Sequence, residues 1–243
     1  MLEAQGDLPK ALAAYRDSLT IIEGLTQKDS DNLAWQRDLA VTKENIGDVL
    51  KAQGDLAGAL SAYRDRLVLA QILAQKDPEN TVWQSDRAIA GHKVAEVLAQ
   101  QGELGQAVTI QQEAVSAIRE NYATHPSAVA AKDDLVRALG SLSWMLLLAN
   151  RSSDALGSTQ EALGLNPTLL FVRGNQAHAL LLLGRFDEAW ARYSELKDKP
   201  RADGKTYASV LRDDFAVFRK NGIDVPAMAR IEALLLDGST TSR

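Results

Sequence analysis

Cysteine is absent from the chain. Disulfide scaffolds, thiolate metal sites and thiol nucleophiles are therefore excluded. Aromatic residues make up only 5% of the sequence and prolines number 6. The β-branched and aromatic runs that strands need are not found. No apolar run approaches the roughly 18 residues of a membrane span; Trp144 to Ala149 is a short stretch only. Positive charge is not in excess, with 27 Lys and Arg against 32 Asp and Glu and a net charge of −5. Nucleic-acid binding in general needs a basic footprint that this balance does not supply. The opening MLEAQGDLPK lacks the basic region and apolar core of a signal peptide. A cytoplasmic chain with neither nucleic acid nor membrane among its partners is expected. What is present is a chain of 243 residues, 46% hydrophobic, long enough for a sizeable core. Its abundant Ala, Leu, Gln and Glu favour helix.

A repeat organises the chain. AQGDLPKALAAYRDSL begins at Ala4, AQGDLAGALSAYRDRL at Ala52, QQGELGQAVTIQQEAV at Gln100 and the weaker LANRSSDALGSTQEAL at Leu148, each 48 residues after the last. A further copy, LLGRFDEAWARYSEL, follows at Leu182 after a shorter step of 34. A second marker keeps the 48-residue spacing: AWQRDLA at Ala34, VWQSDRA at Val82 and the eroded AAKDDLV at Ala130. Periods of this length signal solenoids built of supersecondary units.

Each unit is expected to be two helices. In WQRDLAVTKENIGDVLKAQ, Trp35, Leu39, Thr42, Ile46 and Leu50 recur every three or four residues and make one apolar stripe. Gly54 ends that helix and Asp55 caps the next. The second helix carries Leu56, Ala59, Leu60, Tyr63, Leu67 and Ala70 on one face and stops near Lys76, where DPEN turns the chain. Neither helix can bury its stripe alone, so stacked units are required.

These residues resemble the tetratricopeptide repeat (TPR), a helix–turn–helix unit usually 34 residues long. Its pattern is a small residue in the first helix, Gly at the turn, Ala early in the second helix, then an aromatic. Gly47, Gly54, Ala59 and Tyr63 follow it, as do Ala177, Gly184, Ala189 and Tyr193. The third unit keeps Ala95, Gly102 and Ala107 but has Gln111 at the aromatic position. The fourth keeps Ser143, Ala155 and Pro167, while Asn150 and Thr159 depart. The resemblance implies an all-α fold, a right-handed α-solenoid of stacked antiparallel helix pairs. The 14 residues beyond the usual unit are expected to lengthen each helix by about two turns, since TIIEGLTQ and VLAQILAQ stay apolar and periodic.

The expected organisation is a TPR-like array over residues 1–199, of about five units with the first incomplete. A linker loop over 200–206, C-terminal capping helices over 207–236 and a disordered tail over 237–243 follow. The first helix begins midway at Met1, ahead of Gly6, which predicts that the chain is part of a longer protein. The ending DGKTYASVLRDDFAVFRKNGI is similar to those of bacterial TPR arrays attached to effector or signalling domains. A catalytic domain upstream of Met1, with these repeats as its regulatory or sensor arm, is the corresponding expectation. An uncapped apolar face at Met1 would also permit self-association.

Signs of catalysis are sparse, and no cofactor, metal or catalytic residue is assigned. His92 and Glu96 are four apart and could share a helix face, which leaves a helical metal-dependent hydrolase as a remote alternative. Asp133–Asp134 and Asp213–Asp214 are adjacent in sequence and do not face each other on a helix. GSLS around Ser141 lacks a strand-to-helix elbow. The resemblance instead implies a concave groove lined by the first helix of each unit, binding a peptide or helix of a partner protein. Its expected contact residues are Glu44, Asp48, His92, Glu96, Trp144 and His178. The N-terminal half of that groove is expected to be mildly acidic and the C-terminal half apolar. Glu44, Asp48 and Glu96 would then repel an acidic chaperone tail. Trp144 and Phe171 have two readings, as partner anchors or as residues packed under the terminal helix with Phe215 and Phe218. Trp35 and Trp83 are expected in the core.

Overall fold

The computed structural model describes residues 7–126 and 129–237. Among these residues the regular structure is eleven helices: α1 (Leu8–Lys28), α2 (Leu33–Ala52), α3 (Leu56–Lys76), α4 (Thr81–Gln100), α5 (Leu104–Thr124), α6 (Val129–Leu148), α7 (Ser152–Leu165), α8 (Leu170–Leu182), α9 (Phe186–Leu196), α10 (Tyr207–Lys220) and α11 (Pro226–Asp237). The turn expected at Gly6, the open face expected at Met1 and the tail from residue 238 lie outside the described residues.

The chain divides into two compact units, Met1–Ala131 and Lys132–Arg243. In the first, helices pack in sequence order, α1 on α2, α2 on α3, α3 on α4 and α4 on α5. In the second, α7 packs on α8 and α8 on α9.

The 48-residue interval is absorbed by helix length. α2 and α4 have 20 residues and α3 and α5 have 21, whereas α8 and α9, after the 34-residue step, have 13 and 11. Helix ends follow local chemistry. The Asp55 carboxylate accepts from the Gly58 amide at 2.9 Å to start α3. Asn32 and Asn80 cap α2 and α4 by accepting from the Trp35 and Trp83 amides, each at 3.2 Å. Gly54, Gly102 and Gly184 close their helices in the left-handed region, at φ of 83°, 85° and 76°. Asn150 takes the same role in the fourth copy at φ 55°; Asn tolerates this region better than other residues with a side chain.

Small residues set the approach of the helices. Ala59, Ala107 and Ala189 are fully buried. A Cβ on Gly47 would lie 2.5 Å from Tyr63 Cε1, so the fully buried tyrosine ring of α3 lies directly on the α2 backbone. Trp35 and Trp83, expected in the core, are only half-buried. They sit in the first turn of their helices, where the extension beyond the usual repeat length leaves fewer neighbours.

The second unit is closed by its own C-terminal helices. Residues 200–206, expected as a plain loop, carry a single antiparallel bridge between Pro200 and Thr206. Tyr207 then opens α10, which buries Tyr207, Ala208, Leu211, Phe215 and Phe218. Gly222, at φ 76°, turns the chain toward α11, which buries Met228, Ile231 and Leu235.

Candidate partner-binding surface

The six residues expected to contact a partner occupy two repeat positions. Glu44 and His92 are one interval apart, as are Asp48, Glu96 and Trp144, and His178 follows Trp144 by the shorter step. Fifteen residues after each member of the second set stand Tyr63, Gln111, Thr159 and Tyr193 on the partner helix of the pair. The fold gives each of these positions a different solution.

In the first unit, α2 and α4 lie side by side and are joined by ion pairs. Arg37 Nε lies 2.9 Å from Asp86 and Lys51 Nζ 2.6 Å from Glu96. Lys93 Nζ donates to Asp48 at 2.6 Å and lies 3.9 Å from Glu44. It also stands over the Tyr63 ring, 5.7 Å from its centre. The Tyr63 hydroxyl donates to Asp48 at 2.5 Å. Glu44 faces Arg66 Nη2 of α3 at 2.9 Å, and the Arg66 side chain is only 5% exposed. The second terminal nitrogen, Nη1, is buried without a hydrogen-bond partner.

The expectation of an acidic face is therefore corrected. Glu44, Asp48 and Glu96 each have a cation against them, supplied by Arg66, Lys93 and Lys51. Local charge is close to balanced, and the electrostatic case against an acidic partner loses its force. Val41 and Ile89, one interval apart on the same helices, are exposed at 41% and 40%. They put two apolar side chains in line with the charged positions.

His92 and Glu96 share α4 but are engaged separately. His92 Nδ1 lies 3.0 Å from Gln111 Oε1, and Glu96 holds Lys51. Among the described residues no group of three or more His, Asp or Glu is placed to hold a metal ion.

The second unit departs further from expectation. His178 has no exposed surface and is corrected from a contact residue to a core residue. Its Nε2 lies 3.2 Å from Asp214 of α10 and its Nδ1 2.8 Å from the Tyr193 hydroxyl. The tautomer that donates from Nε2 to Asp214 leaves Nδ1 to accept from Tyr193. Phe215 and Phe218 stand edge-on to the imidazole, with centroids 5.3 and 5.0 Å away. The physical reason is α10. It packs over Gly174, where a built Cβ would stand in ordinary van der Waals contact with the Tyr207 hydroxyl and Leu211, at 3.4 and 3.6 Å. The helix face expected to form an open apolar groove is thus covered by the chain's own terminal helix.

Trp144 is half-buried and leans on Phe218, with ring centroids 5.2 Å apart. Phe171 does not join this cluster. It is 39% exposed and covers the α6 backbone at Gly140. Asn175 of α8 donates to the Gly140 carbonyl at 3.1 Å and to Ser143 Oγ at 2.9 Å, which ties α8 to α6.

Three buried tyrosines have hydroxyls held well above the ordinary tyrosine value. For Tyr63 the main cause is burial, reinforced by Asp48; for Tyr193 and Tyr207 it is burial, reinforced by Asp214. Because the folded chain holds these protons more tightly than the unfolded chain, their contribution to stability is complete below about pH 10 and is lost above it. The urea midpoint at about pH 11 is expected to fall below that at about pH 9. Tyrosinate absorbance should rise together with the loss of helical circular dichroism. Ionisation of all five tyrosines with the helices intact would contradict this burial.

Sequence reasoning placed the carboxylates and missed their partners. Lys93 and Arg66 carried a signal only in their position on the polar edge of each helix. No helix of the described residues is long and apolar enough to cross a membrane.

No protein-family model and no curated protein sequence matches the chain. Solved structures do. BtubC (BKLC) from P. vanneervenii is 16% identical, with a TM-score of 0.60 over 97% of this chain and 93% of that one. A P. anserina kinesin light chain protein with nearly identical TPR-like repeats is 15% identical, with a TM-score of 0.56 over 88% of this chain and 90% of that one. With eleven helices and no strand among the described residues, and this likeness over most of both chains, the fold of this chain is that of the TPR-like helical repeats.

Proposed function

We propose that the chain is a non-catalytic protein–protein interaction scaffold that binds a peptide or helix of a partner in the concave groove lined by the first helix of each unit. The contacts lie on the face of α2 and α4. The observation that supports this reading is the alignment of side chains there at one repeat interval. Val41 and Ile89 are exposed apolar anchors. Beside them run Glu44 with His92, then Asp48 with Glu96, and Lys51 and Lys93 interleave the carboxylates. Such a face offers apolar contact alongside charged groups of both signs, a combination that recognition surfaces use. In the second unit, taken by itself, Trp144 is half-buried on α6 and is the contact residue of this reading. Glu44, Asp48, His92, Glu96 and Trp144 remain contact residues in this reading, and His178 does not.

The test uses peptides selected on the intact chain from a random displayed library. Val41→Glu combined with Ile89→Glu is expected to lower their affinity at least about tenfold, a loss of about 1.4 kcal/mol. Val68→Glu, at a more exposed valine on α3, should leave binding unchanged. Peptides that bind the Val41/Ile89 double variant as well as the wild type would place the recognition face elsewhere.

A further inference from the structure

The first unit holds two equivalent troughs on its other side, where the second helices of successive pairs run side by side. In the trough between α1 and α3, Lys43 rises from α2 and bridges both walls. Its Nζ lies 3.3 Å from Glu23 of α1 and 3.2 Å from Asp65 of α3, and its side chain is only 19% exposed. One repeat interval later the same positions are Gln71, Gly91 and Glu113. The lysine is gone, the first carboxylate has become an amide, and the second carboxylate is kept.

The result is a cavity. Between α3 and α5, floored by Gly91 and Arg87 of α4, lies a trough of about 640 Å³ lined by Gln71, Gln112 and Glu113 among others. It adjoins a second hollow of about 440 Å³ that shares Gln75 and Arg87. Glu113 has no ion pair among the described residues, and neither has Arg87, which stands where the preceding unit has Leu39. A Cβ built on Gly91 would meet Ala114 and Ile110 at 3.4 Å or more, ordinary van der Waals contact, so a methyl group fits there without displacing a neighbour.

We propose that this trough is a second binding site, distinct from the α2/α4 face, that takes a lysine side chain of a partner peptide with an acidic residue beside it. The preceding unit shows the chemistry that fits: an ammonium group seated between the two wall helices against a carboxylate. In the second trough the ammonium comes from outside, placed against Glu113 and the Gln71 carbonyl oxygen. The neighbouring carboxylate of the peptide meets the guanidinium of Arg87. An arginine-free, purely acidic peptide has no group for Glu113, and a purely basic one is repelled by Arg87.

The probe is the blocked tetrapeptide acetyl-Ala-Lys-Asp-Ala-amide, titrated to millimolar concentration and followed by NMR on the side-chain amides of Gln71 and Gln112. Saturable shifts are expected for the wild type. The same shifts are expected for Gly91→Ala, which adds one methyl group and raises helix propensity without filling the trough. Gly91→Lys rebuilds the internal lysine of the preceding unit. It should abolish the shifts while melting no lower than Gly91→Ala, because the new ammonium pairs with Glu113. Glu113→Gln should also abolish them, as should acetylation of the peptide lysine. Shifts that persist in Gly91→Lys or with the acetylated peptide would overturn the site, as would their absence in the wild type.

Discussion

Phe215→Ala is expected to cost about 3–5 kcal/mol of stability, the range for deleting a fully buried aromatic ring. The ring has no exposed surface and touches three others, His178, Tyr193 and Phe218, at centroid distances of 5.3, 6.0 and 6.4 Å. Its loss removes packing and also opens the hydrogen-bonded series from Tyr193 through His178 to Asp214. Buried polar groups that lose their shielding without losing their partners still weaken, since neighbouring water competes for them. Phe215→Leu, which keeps most of the volume, should cost about 1.5 kcal/mol or less. Urea denaturation reads the magnitude, and hydrogen exchange on Tyr207–Lys220 locates it. A cost under about 1 kcal/mol for the alanine variant would mean that α10 is not an integral part of the second unit.

Glu44→Ala is the second large effect, expected at about 3–5 kcal/mol. This size would be surprising for a carboxylate on a helix face, and the reason is Arg66. Its guanidinium is buried, one terminal nitrogen already lacks a partner, and Glu44 is the carboxylate facing the other. Removing Glu44 strands a buried charge. The double variant Glu44→Leu with Arg66→Met should recover most of the loss, because an apolar pair of similar volume often replaces a buried ion pair at little cost. Glu96→Ala, one interval from Asp48, provides the contrast. Its pair with Lys51 is partly exposed on both sides, and such pairs are worth about 0–1 kcal/mol. Equal losses at Glu44 and Glu96 would contradict the burial of Arg66.

Much of the fold was legible because repeats display their own punctuation. Gly54, Gly102 and Gly184 marked the turns, Asp55 the cap of α3, and the apolar periodicity of TIIEGLTQ and VLAQILAQ the longer helices. The departure at Asn150 was legible as a departure, and its left-handed backbone shows how the turn survives without glycine. The site was less legible. A hydrophobic stripe says which face of a helix is buried but not which cation on a neighbouring helix will reach a given carboxylate. Hence Glu44, Asp48 and Glu96 looked like a repulsive acidic face when Arg66, Lys93 and Lys51 neutralise it. His178 was misplaced for a related reason. Its position along α8 was correct, but its surroundings depend on where α10 docks. The one local signal was Gly174, a small residue on a face that a large helix then covers.

The likeness of the first two full units in sequence conceals a lack of interchangeability. Two of the bridges from α2 to α4 draw their cation from the earlier unit, Arg37 and Lys51 facing Asp86 and Glu96 of the later one, while Lys93 of the later unit reaches back to Asp48. One interval on from Arg37 and Lys51, the chain has Ser85 and Ala99. A second copy of the later unit placed after the first would find neither cation waiting for it. The array therefore has a written order, and permuting or duplicating its near-copies would break contacts that their apparent identity suggests should persist.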